Sequence, residues 1–507
     1  MTKDLRDALR RLGEVGALAV VDRAVDRSWE VTAVLDRLER EHRFPAVLFR
    51  SIQGFPGWSV AGNLFASREA IAALLDVPPD RLTREIAQRL ERPVDPLLVP
   101  DGPVSEHVLE GDDATLDALP IPTHHERDAG PYLSYGVAIC NDPETGARNV
   151  GVYRFMQRDP RHLVPSLTSI SNIADIFARQ EARGRPLDIA IVPGVTPLLG
   201  LAASYKAPLG TDEVALAGAL AGEPLELVKA RTIDVEVPAR AELVIEARIL
   251  PGERYAEAPF ADMSRSYSRQ KRGPLVEVRA ITHRSDPILQ LAFSGHPDAT
   301  NMAAVCHEVA IWRAVQQATS CVTGVHVPAS GYGFHCYLAV HKVPTVEGRE
   351  RGEHRNAMLA AIGAVPQIKL AVTVDDDVDI YDDTAVIGAL ARRFQAVDPT
   401  TGEQRLMILP NLKGASYDPS SLHREYPNAK LLVDCTLRSD LSDEQRASFE
   451  EARVRGSERI DLADYLIDQS APPRDELDRR EPPGPRDEAC FKGNRSRDML
   501  AAWDEGT

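Results

Sequence analysis

Cysteine is scarce in this chain, and its spacing excludes two classes of site. The sequence of 507 residues contains six cysteines, and no two of them have the spacing of metal ligands or of a redox pair. Structural zinc sites and dithiol redox centres both depend on such spacing. We therefore expect buried, reduced thiols and a cytoplasmic location.

Several short signatures of common enzyme classes are also missing. No GxGxxG follows a predicted strand and no GxxxxGK[ST] occurs, which argues against a dinucleotide-binding domain and against a P-loop. No GxSxG occurs, and the histidines form no HxxEH, HExxH or HxH pattern. The absent signatures give no support to NAD(P)-dependent, nucleotide-hydrolysing, serine-hydrolase or zinc-protease chemistry.

Long apolar runs and an excess of basic residues are absent too. No stretch approaches the roughly 20 apolar residues of a transmembrane helix. The segment Met1-Thr-Lys-Asp-Leu-Arg-Asp7 carries acids and lacks the apolar core of a signal peptide. The formal net charge is −17, so the field of the protein repels phosphate and anionic lipid. We expect neither a membrane nor a nucleic-acid partner.

The length and the order of the residue patterns predict several domains. A single core stops growing at about 250–300 residues, so this chain should form two or three domains. Residues 1–90 alternate helical and strand patterns, and residues 89–105 are rich in proline and acid, as in a linker. Residues 106–300 hold several strand patterns with few helices, which indicates a curled or barrel-like sheet around a ligand. A helix at 302–318 precedes renewed α/β alternation.

The segment Glu257-Ala-Pro-Phe-Ala-Asp262 carries the clearest chemical signal. It places two carboxylates in apolar surroundings, where burial raises a carboxyl pKa. Paired carboxylates near one cation can hold different protonation states at the same pH, as a proton-transfer catalyst requires. The alternative is a solvated acidic loop, although such a loop rarely surrounds two acids with so little polarity.

Candidate partners for these acids lie upstream in the sequence. Asn149 and Arg154 stand at the two ends of a predicted strand and differ in parity, so a regular strand would point them to opposite faces. A bulge at Gly151 would bring them to one cavity. The alternative is an edge asparagine and a surface arginine. Glu213 opens a predicted helix, where the helix dipole alone favours an acid.

A further acidic run follows a predicted strand near the C-terminus. Asp375-Asp-Asp377 and Asp379 resemble a divalent-metal cluster. No distant ligands for such a metal can be identified from the pattern, so metal binding there stays the less favoured alternative.

Seven short segments resemble those of the UbiD-type decarboxylases, a family that uses prenylated flavin mononucleotide (FMN). Each segment alone is weak evidence for the family. The resemblance is specific because all seven segments occur in the family's order over more than 300 residues. The segments are Gly62-Asn-Leu-Phe-Ala-Ser67, Leu119-Pro-Ile-Pro-Thr123, Asp128-Ala-Gly-Pro-Tyr132, Asn149-Val-Gly-Val-Tyr-Arg154, Val237-Pro-Ala-Arg-Ala-Glu242, Glu257-Ala-Pro-Phe-Ala-Asp262 and Val374-Asp-Asp-Asp-Val-Asp379.

The resemblance implies a mixed α/β fold of several domains. Its parts are an N-terminal α/β lobe at 1–105, a central flavin-binding split β-barrel at 106–301, a linking helix at 302–320, a C-terminal α/β domain at 321–475 and a tail at 476–507. Family members form homodimers through the C-terminal domain, and some form hexamers. A flavin prenyltransferase supplies their cofactor. Their active sites lie between the central and C-terminal domains, so we expect domain closure to gate the site.

The resemblance also implies catalytic roles. Arg154, Glu257 and Asp262 match an arginine–acid–acid triad, in which the arginine holds the substrate carboxylate, contacts the cofactor and pairs with the first acid. Asp262 would be the acid that protonates carbon after CO₂ leaves. The family usually has Gly-Pro-Phe-Gly after the first acid, whereas both glycines are alanine here, at Ala258 and Ala261.

A cofactor site follows from the same resemblance. Asn149 and Glu213 match ligands of a metal that bridges to the cofactor phosphate, usually Mn²⁺ or Mg²⁺ with K⁺ nearby, and oxygen ligands suit such cations. The third metal ligand, often a histidine in the family, falls on Asn172. Ser204 matches a cofactor-loop position, and Lys430 matches a lysine of the C-terminal domain that reaches the flavin.

Asn301 is the residue from which we infer the substrate. Counting from Asp262 without gaps places it where members acting on acrylic acids have threonine and members acting on pyrrole- or indole-type acids have asparagine. An amide can accept a hydrogen bond from a ring N–H and donate to a carboxylate. We therefore expect reversible, non-oxidative decarboxylation of a heteroaromatic acid, such as pyrrole-2-carboxylate or indole-3-carboxylate.

Three alternatives remain open. Within the family, the substrate could be a phenolic or aryl-acrylic acid. A flavin barrel could instead serve an oxidoreductase, although no NAD(P) fingerprint is present. The chain could also be a non-catalytic carboxylase subunit, and the intact Arg154, Glu257 and Asp262 argue against that role.

Overall fold

The computed structural model describes residues 2–167, 171–205, 207, 210–268, 270–343, 351–412, 414, 418–420, 428–450, 452 and 459–461. The chain forms two compact units, Met1–Arg446 and Ala447–Thr507. Of the second unit, residues 447–450, 452 and 459–461 are described. The predicted tail at 476–507 and Cys490 therefore lie outside the described residues.

Helices and strands alternate along the chain, which confirms the predicted mixed α/β class. The α-helices are α1 Leu5–Glu14, α2 Glu30–Arg40, α3 Arg68–Leu75, α4 Leu82–Arg89, α5 Asn172–Glu181, α6 Pro197–Ser204, α7 Glu213–Ala221, α8 Pro297–Ala318, α9 Glu353–Ala364, α10 Asp383–Arg393 and α11 Asp443–Ala447. The strands are β1 Leu18–Val21, β2 Ala46–Phe49, β3 Ser59–Gly62, β4 Leu97–Leu98, β5 His107–Glu110, β6 Tyr132–Asn141, β7 Arg148–Asp159, β8 His162–Pro165, β9 Leu187–Val192, β10 Glu226–Lys229, β11 Glu236–Pro238, β12 Leu243–Glu257, β13 Lys271–His283, β14 Ile288–Gln290, β15 Val322–His326, β16 His335–Val340, β17 Leu370–Asp375, β18 Leu406–Leu412 and β19 Asn428–Asp434.

The N-terminal sheet joins two distant parts of the sequence. Its strand order is β1-β2-β3-β14, with β1 parallel to β2, β2 antiparallel to β3 and β3 parallel to β14. We expected β14 in the central sheet, because it follows the central strands in sequence. All three residues of β14 are buried, which fits a strand enclosed on both faces. The N-terminal lobe therefore takes its fourth strand from beyond residue 280.

Six strands of the central region close into an antiparallel barrel, as the strand-rich pattern predicted. Their order is β12-β9-β6-β7-β8-β13, and β13 pairs back with β12, while β5 is added along β13. Alternate residues of a barrel strand belong to two different apolar cores. In β9, Ile189 and Ile191 pack in one core, and Ala190 and Val192 pack in the other.

The segment predicted as a linker, residues 89–105, is fastened along its length. Leu97 and Leu98 form β4, which pairs in parallel with β10. Gly102 lies so close to Ala239 that a Cβ atom there would come 2.6 Å from the Ala239 carbonyl oxygen. The segment is therefore part of a three-stranded sheet, β11-β10-β4, and not a free connection.

Helix α8 connects the barrel to the C-terminal region. It begins at Pro297 and ends at Ala318, so its first residues precede the predicted range of 302–320. Proline suits the first helical position, where its missing N–H has no helical partner to lose. The buried carboxylate of Asp298 accepts the N–H groups of Asn63, Phe65 and Phe293 at 3.1, 2.9 and 3.2 Å. The start of α8 is thereby bound to the loop that precedes α3.

The C-terminal region is a five-stranded mixed sheet of order β15-β16-β17-β19-β18. The sequence patterns missed β18 because Pro410 interrupts its apolar run, and proline is tolerated only on an edge strand such as this one. The cysteines at 140, 306, 321, 336 and 435 are free and buried, as predicted. Among the helices that the structure describes, none has both the length and the apolar character to cross a bilayer.

Glu308 of α8 joins the N-terminal lobe to the C-terminal region. Its Oε2 accepts from Arg68 Nη1 at 2.7 Å and from Thr83 Oγ1 at 2.6 Å. Its Oε1 accepts from His326 Nδ1 at 2.8 Å and from the N–H of Val327 at 3.0 Å. Burial raises the pKa of Glu308, but Arg68, His326 and Thr83 outweigh burial and lower that pKa to about 2. The charged carboxylate of Glu308 therefore holds the N-terminal lobe and the C-terminal region together.

We expect Glu308→Gln to lower the free energy of unfolding at pH 7 by about 3–5 kcal/mol, because Arg68 would remain buried without its counter-charge. The folded pKa of about 2 lies below the ordinary 4.5. The stabilisation from Glu308 is therefore present above about pH 4.5 and disappears as the pH falls towards 2. Urea unfolding across this range should show wild type and variant converging at acid pH. Glu91→Gln on the exposed surface is the control, and equal stabilities at pH 7 would contradict the expectation.

Candidate active site

Two segments of the barrel bring the predicted triad together. Arg154 lies in β7, and Glu257 is the last residue of β12. Pro259 has no N–H to continue the strand ladder, and the chain turns into a short loop closed by a bridge between Ala261 and Tyr267. This loop carries Asp262.

Arg154 contacts both acids directly. Its Nε donates to Glu257 Oε1 at 2.9 Å, and its Nη1 donates to Asp262 Oδ2 at 2.8 Å. Its Nη2 donates to Glu257 Oε2 at 3.3 Å and to Ser268 Oγ at 3.1 Å. The guanidinium carbon lies 4.7 Å from the centre of the Phe260 ring, within cation–π distance. The structure thus places all three predicted residues in one cluster.

The two acids of this cluster differ in exposure. The Glu257 side chain is 0% exposed, whereas Asp262 keeps 19% and Arg154 keeps 11%. The alternative of a solvated acidic loop is therefore wrong for Glu257. Burial lowers the pKa of Arg154, but the charges of Asp262 and Glu257 outweigh burial and raise it. The charged Arg154 guanidinium consequently contacts one fully buried acid, Glu257, and one partly exposed acid, Asp262.

Tyr132 and Asp128 are parts of this site that the reasoning from residue patterns did not single out. Tyr132 Oη donates to Glu257 Oε1 at 3.4 Å and accepts the N–H of Ala258 at 3.3 Å. Burial and the charge of Glu257 raise the pKa of Tyr132, so it remains a phenol. Asp128 Oδ1 accepts the N–H of Ala261 at 3.1 Å. Both residues lie in the segment 128–132 that carries the family resemblance, and that segment was the signal for them.

The alanine that replaces the family's first glycine keeps a glycine-like backbone. Ala258 has a φ of 82°, in a region that costs an L-residue about 1–2 kcal/mol. Its side chain is nevertheless accommodated in the core, where Ala258 is 2% exposed. The substitution therefore leaves Glu257 and Asp262 on the two sides of the turn, both in contact with Arg154.

A second polar cluster lies near the start of β7. Glu213 is the first residue of α7, as predicted, behind the N-cap Asp212, and its Oε2 accepts the N–H of Val150 at 2.9 Å. Burial raises the pKa of Glu213 to about 7. Asn149 is 6% exposed, and its amide lies beside the Cys140 thiol and the Tyr153 hydroxyl. Burial and the nearby charge of Glu213 raise the pKa of the Cys140 thiol to about 12.

The predicted bulge at Gly151 is wrong. β6 and β7 pair regularly from Arg148 through Tyr153, and the irregularity falls between Leu133 and Gly136 on β6. Gly151 has a different role, because a Cβ atom there would come 2.6 Å from the ring of Tyr153. Asn149 and Arg154 therefore keep opposite parity, and within the described residues no hydrogen bond joins them. The structure brings them to two separate clusters of the same strand.

The remaining predicted cofactor residues lie on three elements. Asn172 is the first residue of α5, and Ser204 is the last residue of α6. Lys430 lies in β19, is 1% exposed and donates to the Pro366 carbonyl at 2.5 Å. Burial lowers the pKa of this lysine. In the described part of the chain, the hydrogen-bond partner of Lys430 belongs to the C-terminal region and not to the barrel.

Asn301 lies one turn into α8, and its Nδ2 donates to the Ala66 carbonyl at 3.0 Å. The residues just before α8 border the loop of Asp262, because a Cβ atom on Gly295 would come 3.0 Å from the Asp262 carbonyl oxygen. Asn301 therefore lies on the helix that begins just after Gly295, next to the loop that carries Asp262.

The acidic run at the end of β17 makes its contacts within the protein. Arg393 donates to both oxygens of Asp377 at 2.8 and 2.7 Å and reaches Asp375 at 3.5 Å. Asp379 accepts the N–H of Tyr381 at 2.9 Å. Across the described ranges, no three or more His, Cys, Asp or Glu side chains converge as for a metal ion. The run is an ion-pair cluster, and the metal-cluster alternative gains no support.

Comparison with known proteins places this geometry in one family. Models of the 3-octaprenyl-4-hydroxybenzoate carboxy-lyase family match the chain with the N-terminal domain at 9–90, the Rift-related domain at 98–297 and the C-terminal domain at 300–435. The UbiD-class enzyme HmfF from Pelotomaculum thermopropionicum in complex with FMN superposes with a TM-score of 0.83 at 35% identity, covering 91% of this chain and 100% of that chain. An evolved dimeric form of HmfF in complex with prFMN gives a TM-score of 0.80 at 32% identity, over 92% and 100% of the two chains.

Two relatives with assigned activities extend the comparison. The anhydromevalonate phosphate decarboxylase of Methanothermobacter thermautotrophicus is 30% identical over 435 residues, which cover 85% of this chain and 96% of the relative. The gallate decarboxylase of Lactiplantibacillus plantarum is 28% identical over 436 residues, which cover 80% and 86%.

Fold and site together define a multidomain α/β enzyme with a buried arginine–carboxylate centre on a β-barrel. The chain belongs to the UbiD family and is a carboxy-lyase, as the resemblance implied.

We expect Arg154→Gln to destabilise the fold by about 3–5 kcal/mol at pH 7, because the buried Glu257 carboxylate loses its hydrogen-bonded cation and keeps only Lys271, whose Nζ lies 3.8 Å away. Adding Glu257→Gln should recover most of this loss, since two neutral amides can hydrogen-bond to each other. Urea unfolding of wild type, both single variants and the double variant completes the cycle. Arg158→Gln, exposed on the same strand, is the control. Additive losses in the double variant would show that the two side chains are not coupled.

Proposed function

We propose that this protein uses prenylated FMN to decarboxylate a heteroaromatic acid reversibly and without oxidation, with pyrrole-2-carboxylate or indole-3-carboxylate as the substrate type. The observation that carries the proposal is the cluster in which Arg154 serves two acids of different exposure. One cation between a sealed and an accessible carboxylate can bind an anionic substrate and manage a proton. Family membership supplies the reaction class.

Arg154 is the proposed binding group for the substrate carboxylate. That carboxylate would compete with Asp262 for Nη1, because Asp262 is the more exposed of the two acids. Glu257, held by Nε and by Tyr132, would keep the guanidinium oriented during the exchange. Asp262, released from its ion pair and 19% exposed, would take up a proton from solvent and then deliver that proton to the carbon that has lost CO₂.

Asn149, Glu213 and Asn172 are the proposed ligands of a Mn²⁺ or Mg²⁺ ion, with K⁺ nearby, that would hold the cofactor phosphate. The first two fit this role, because Glu213 is a buried carboxylate with a raised pKa and Asn149 is a buried amide whose Oδ1 is the kind of oxygen ligand that such a cation takes. A cation would offset the cost of burying that carboxylate. When bound, prenylated FMN supplies the electron sink for decarboxylation. The further proposed cofactor contacts are Arg154, Ser204 and Lys430.

Asn301 supports the heteroaromatic substrate. Donation from its Nδ2 to the Ala66 carbonyl fixes the amide. The carbonyl oxygen of the amide is therefore the atom left to accept from a ring N–H. The runner-up is a phenolic or aryl-acrylic acid, and the likeness to a gallate decarboxylase favours the phenolic choice.

We also propose a cytoplasmic homodimer or hexamer that receives its cofactor from a flavin prenyltransferase. The evolved dimeric form of HmfF supports a dimer. The division into a lobe at 1–105, a barrel domain at 106–301, a helix at 302–320 and a C-terminal domain at 321–475 remains part of this proposal.

The proposal is tested by expressing the chain with and without an active flavin prenyltransferase. We expect purified protein from the first culture to carry a modified flavin, identified by mass spectrometry, and to release CO₂ from pyrrole- or indole-type acids. Asp262→Asn should retain the flavin and lose about 10²–10⁴ in rate, because an amide cannot deliver the proton. Glu213→Gln should lose flavin. Protein that holds no flavin of any kind would refute the cofactor assignment, and full activity of Asp262→Asn would reassign the acid.

Asn301→Ser is expected to change the ranking of substrates. A buried ring N–H without a partner costs about 1–3 kcal/mol, which is about tenfold to a hundredfold in kcat/KM. Turnover of pyrrole- and indole-type acids should therefore fall more than turnover of cinnamic-type acids. Identical rankings by wild type and variant would remove the main support for the heteroaromatic class.

A further inference from the structure

The loop that carries Asp262 is fastened at one point by Arg265. The Arg265 guanidinium donates through Nη2 to Glu39 Oε1, at the end of α2, and through Nε to the carbonyl of Gly295, just before α8. Its guanidinium carbon lies 5.9 Å from the ring centre of Tyr332, at the outer limit of cation–π contact. One side chain of the barrel loop therefore contacts the N-terminal lobe, the start of α8 and the C-terminal region.

The loop that carries Asp262 packs tightly against Gly295, which leaves the loop little room to move there. Gly295 has a φ of 76°, and a Cβ atom there would lie 2.9 Å from Arg265 Cγ and 3.0 Å from the Asp262 carbonyl oxygen. Within the loop, the N–H of Arg265 donates to the Asp262 carbonyl at 2.9 Å, and the N–H of Asp262 donates to the Ser266 carbonyl at 3.0 Å. A displacement of Arg265 would therefore reach Asp262 directly.

The backbone of Arg265 is held in an unfavourable conformation. Its φ is 56°, in the left-handed region that L-residues with a side chain seldom adopt. Such a conformation persists where surrounding contacts determine it. The two hydrogen bonds of the Arg265 side chain are contacts of this kind, and both of their acceptors lie outside the loop.

Glu39 is itself held in place. Its Oε2 pairs with His296 Nδ1, and the His296 ring stacks on Phe293 with 3.6 Å between ring centres and 11° between planes. The His296 side chain is 6% exposed, whereas Glu39 keeps 21% and Arg265 keeps 39%. Glu39 thus receives a donor from the N-cap of α8 on one oxygen and from the acid-bearing loop on the other.

We propose that Arg265 is a positioning residue for Asp262, and that Glu39 is the group in the N-terminal lobe that holds Arg265 there. The proposal rests on the proposed function, in which Asp262 delivers the proton. Neither residue contacts Arg154 in the described part of the chain, so both act through the loop. The position of the proton donor is then set by a helix of the N-terminal lobe as well as by the barrel.

The test compares Arg265→Gln, Arg265→Lys and Glu39→Gln with the control Glu41→Gln. Glu41 is the exposed C-cap of the same helix and accepts from Arg37 at 2.8 Å. Amide hydrogen exchange reports on the loop without requiring turnover. We expect the amides of Asp262, Arg265 and Ser268 to exchange at least about tenfold faster in Arg265→Gln and Glu39→Gln, and to be unchanged in Glu41→Gln.

Kinetics of the cofactor-loaded enzyme give the second measurement. We expect kcat to fall by about 10–100-fold with KM changed by less than about threefold, because misplacement affects proton delivery more than binding. The solvent deuterium isotope effect on kcat should rise as protonation becomes slower. Arg265→Lys keeps the charge but lacks the forked guanidinium, so it should restore only part of kcat.

The two measurements separate the two proposals. Unchanged exchange in the loop of Arg265→Gln would overturn the positioning role, whatever the kinetics show. Faster exchange with unchanged kcat and isotope effect would overturn it as well, because the loop would then move without consequence for the acid. If wild type releases no CO₂ from any acid tested, the proposed function fails, whereas the exchange data still decide whether Arg265 and Glu39 fix the loop.

Discussion

The site depends on one interaction, the contact of the Arg154 guanidinium with two carboxylates. A buried carboxylate without a cation is one of the costliest groups that a fold can contain, so Glu257 depends on the hydrogen-bonded Arg154, and Lys271 stands farther away at 3.8 Å. Arg154 in turn can hold a second acid because its fork presents donors in two directions. Strand β12 must end at Glu257 and the following loop must return towards β7 for both contacts to form. The end of β12 and the loop after it are therefore arranged so that both carboxylates reach Arg154.

Buried acids serve a second purpose at the borders between regions. Asp298 binds the start of α8 to the loop before α3, and Glu308 binds the same helix to residues of both flanking regions. Glu242 accepts two hydrogen bonds from Arg6 of α1, at 2.9 Å each. Each of these carboxylates is satisfied by donors from distant parts of the sequence. Buried carboxylates of this kind fix the relative positions of the segments that they join, because their hydrogen bonds are lost if either segment shifts by about an ångström.

Some features of the structure were predictable from the sequence, and there are physical reasons why the remaining features were not. Helix α8 was identifiable because its apolar residues recur at helical spacing within one short stretch of the chain. The contact of Arg154 with Glu257 and Asp262 spans about a hundred residues, so the residue pattern offered Arg154 only as a candidate and the family resemblance indicated the triad. The pairing of β14 with β3 was missed because apolar runs do not encode their partner strand. Arg265 and Glu39 gave no signal at all, since an arginine and a glutamate on polar segments look like ordinary surface residues.

The fourth strand of the N-terminal sheet has a consequence for how the chain is made. Because β14 is synthesised after the whole barrel, the N-terminal lobe cannot complete its sheet while it emerges from the ribosome. Until then β3 is an open edge with unpaired backbone groups, and such edges invite association with other chains. A chain cut after the barrel's last strand would keep that edge permanently exposed. The lobe at the beginning of the sequence is therefore among the last parts to become finished, and its assembly is linked to that of the catalytic barrel.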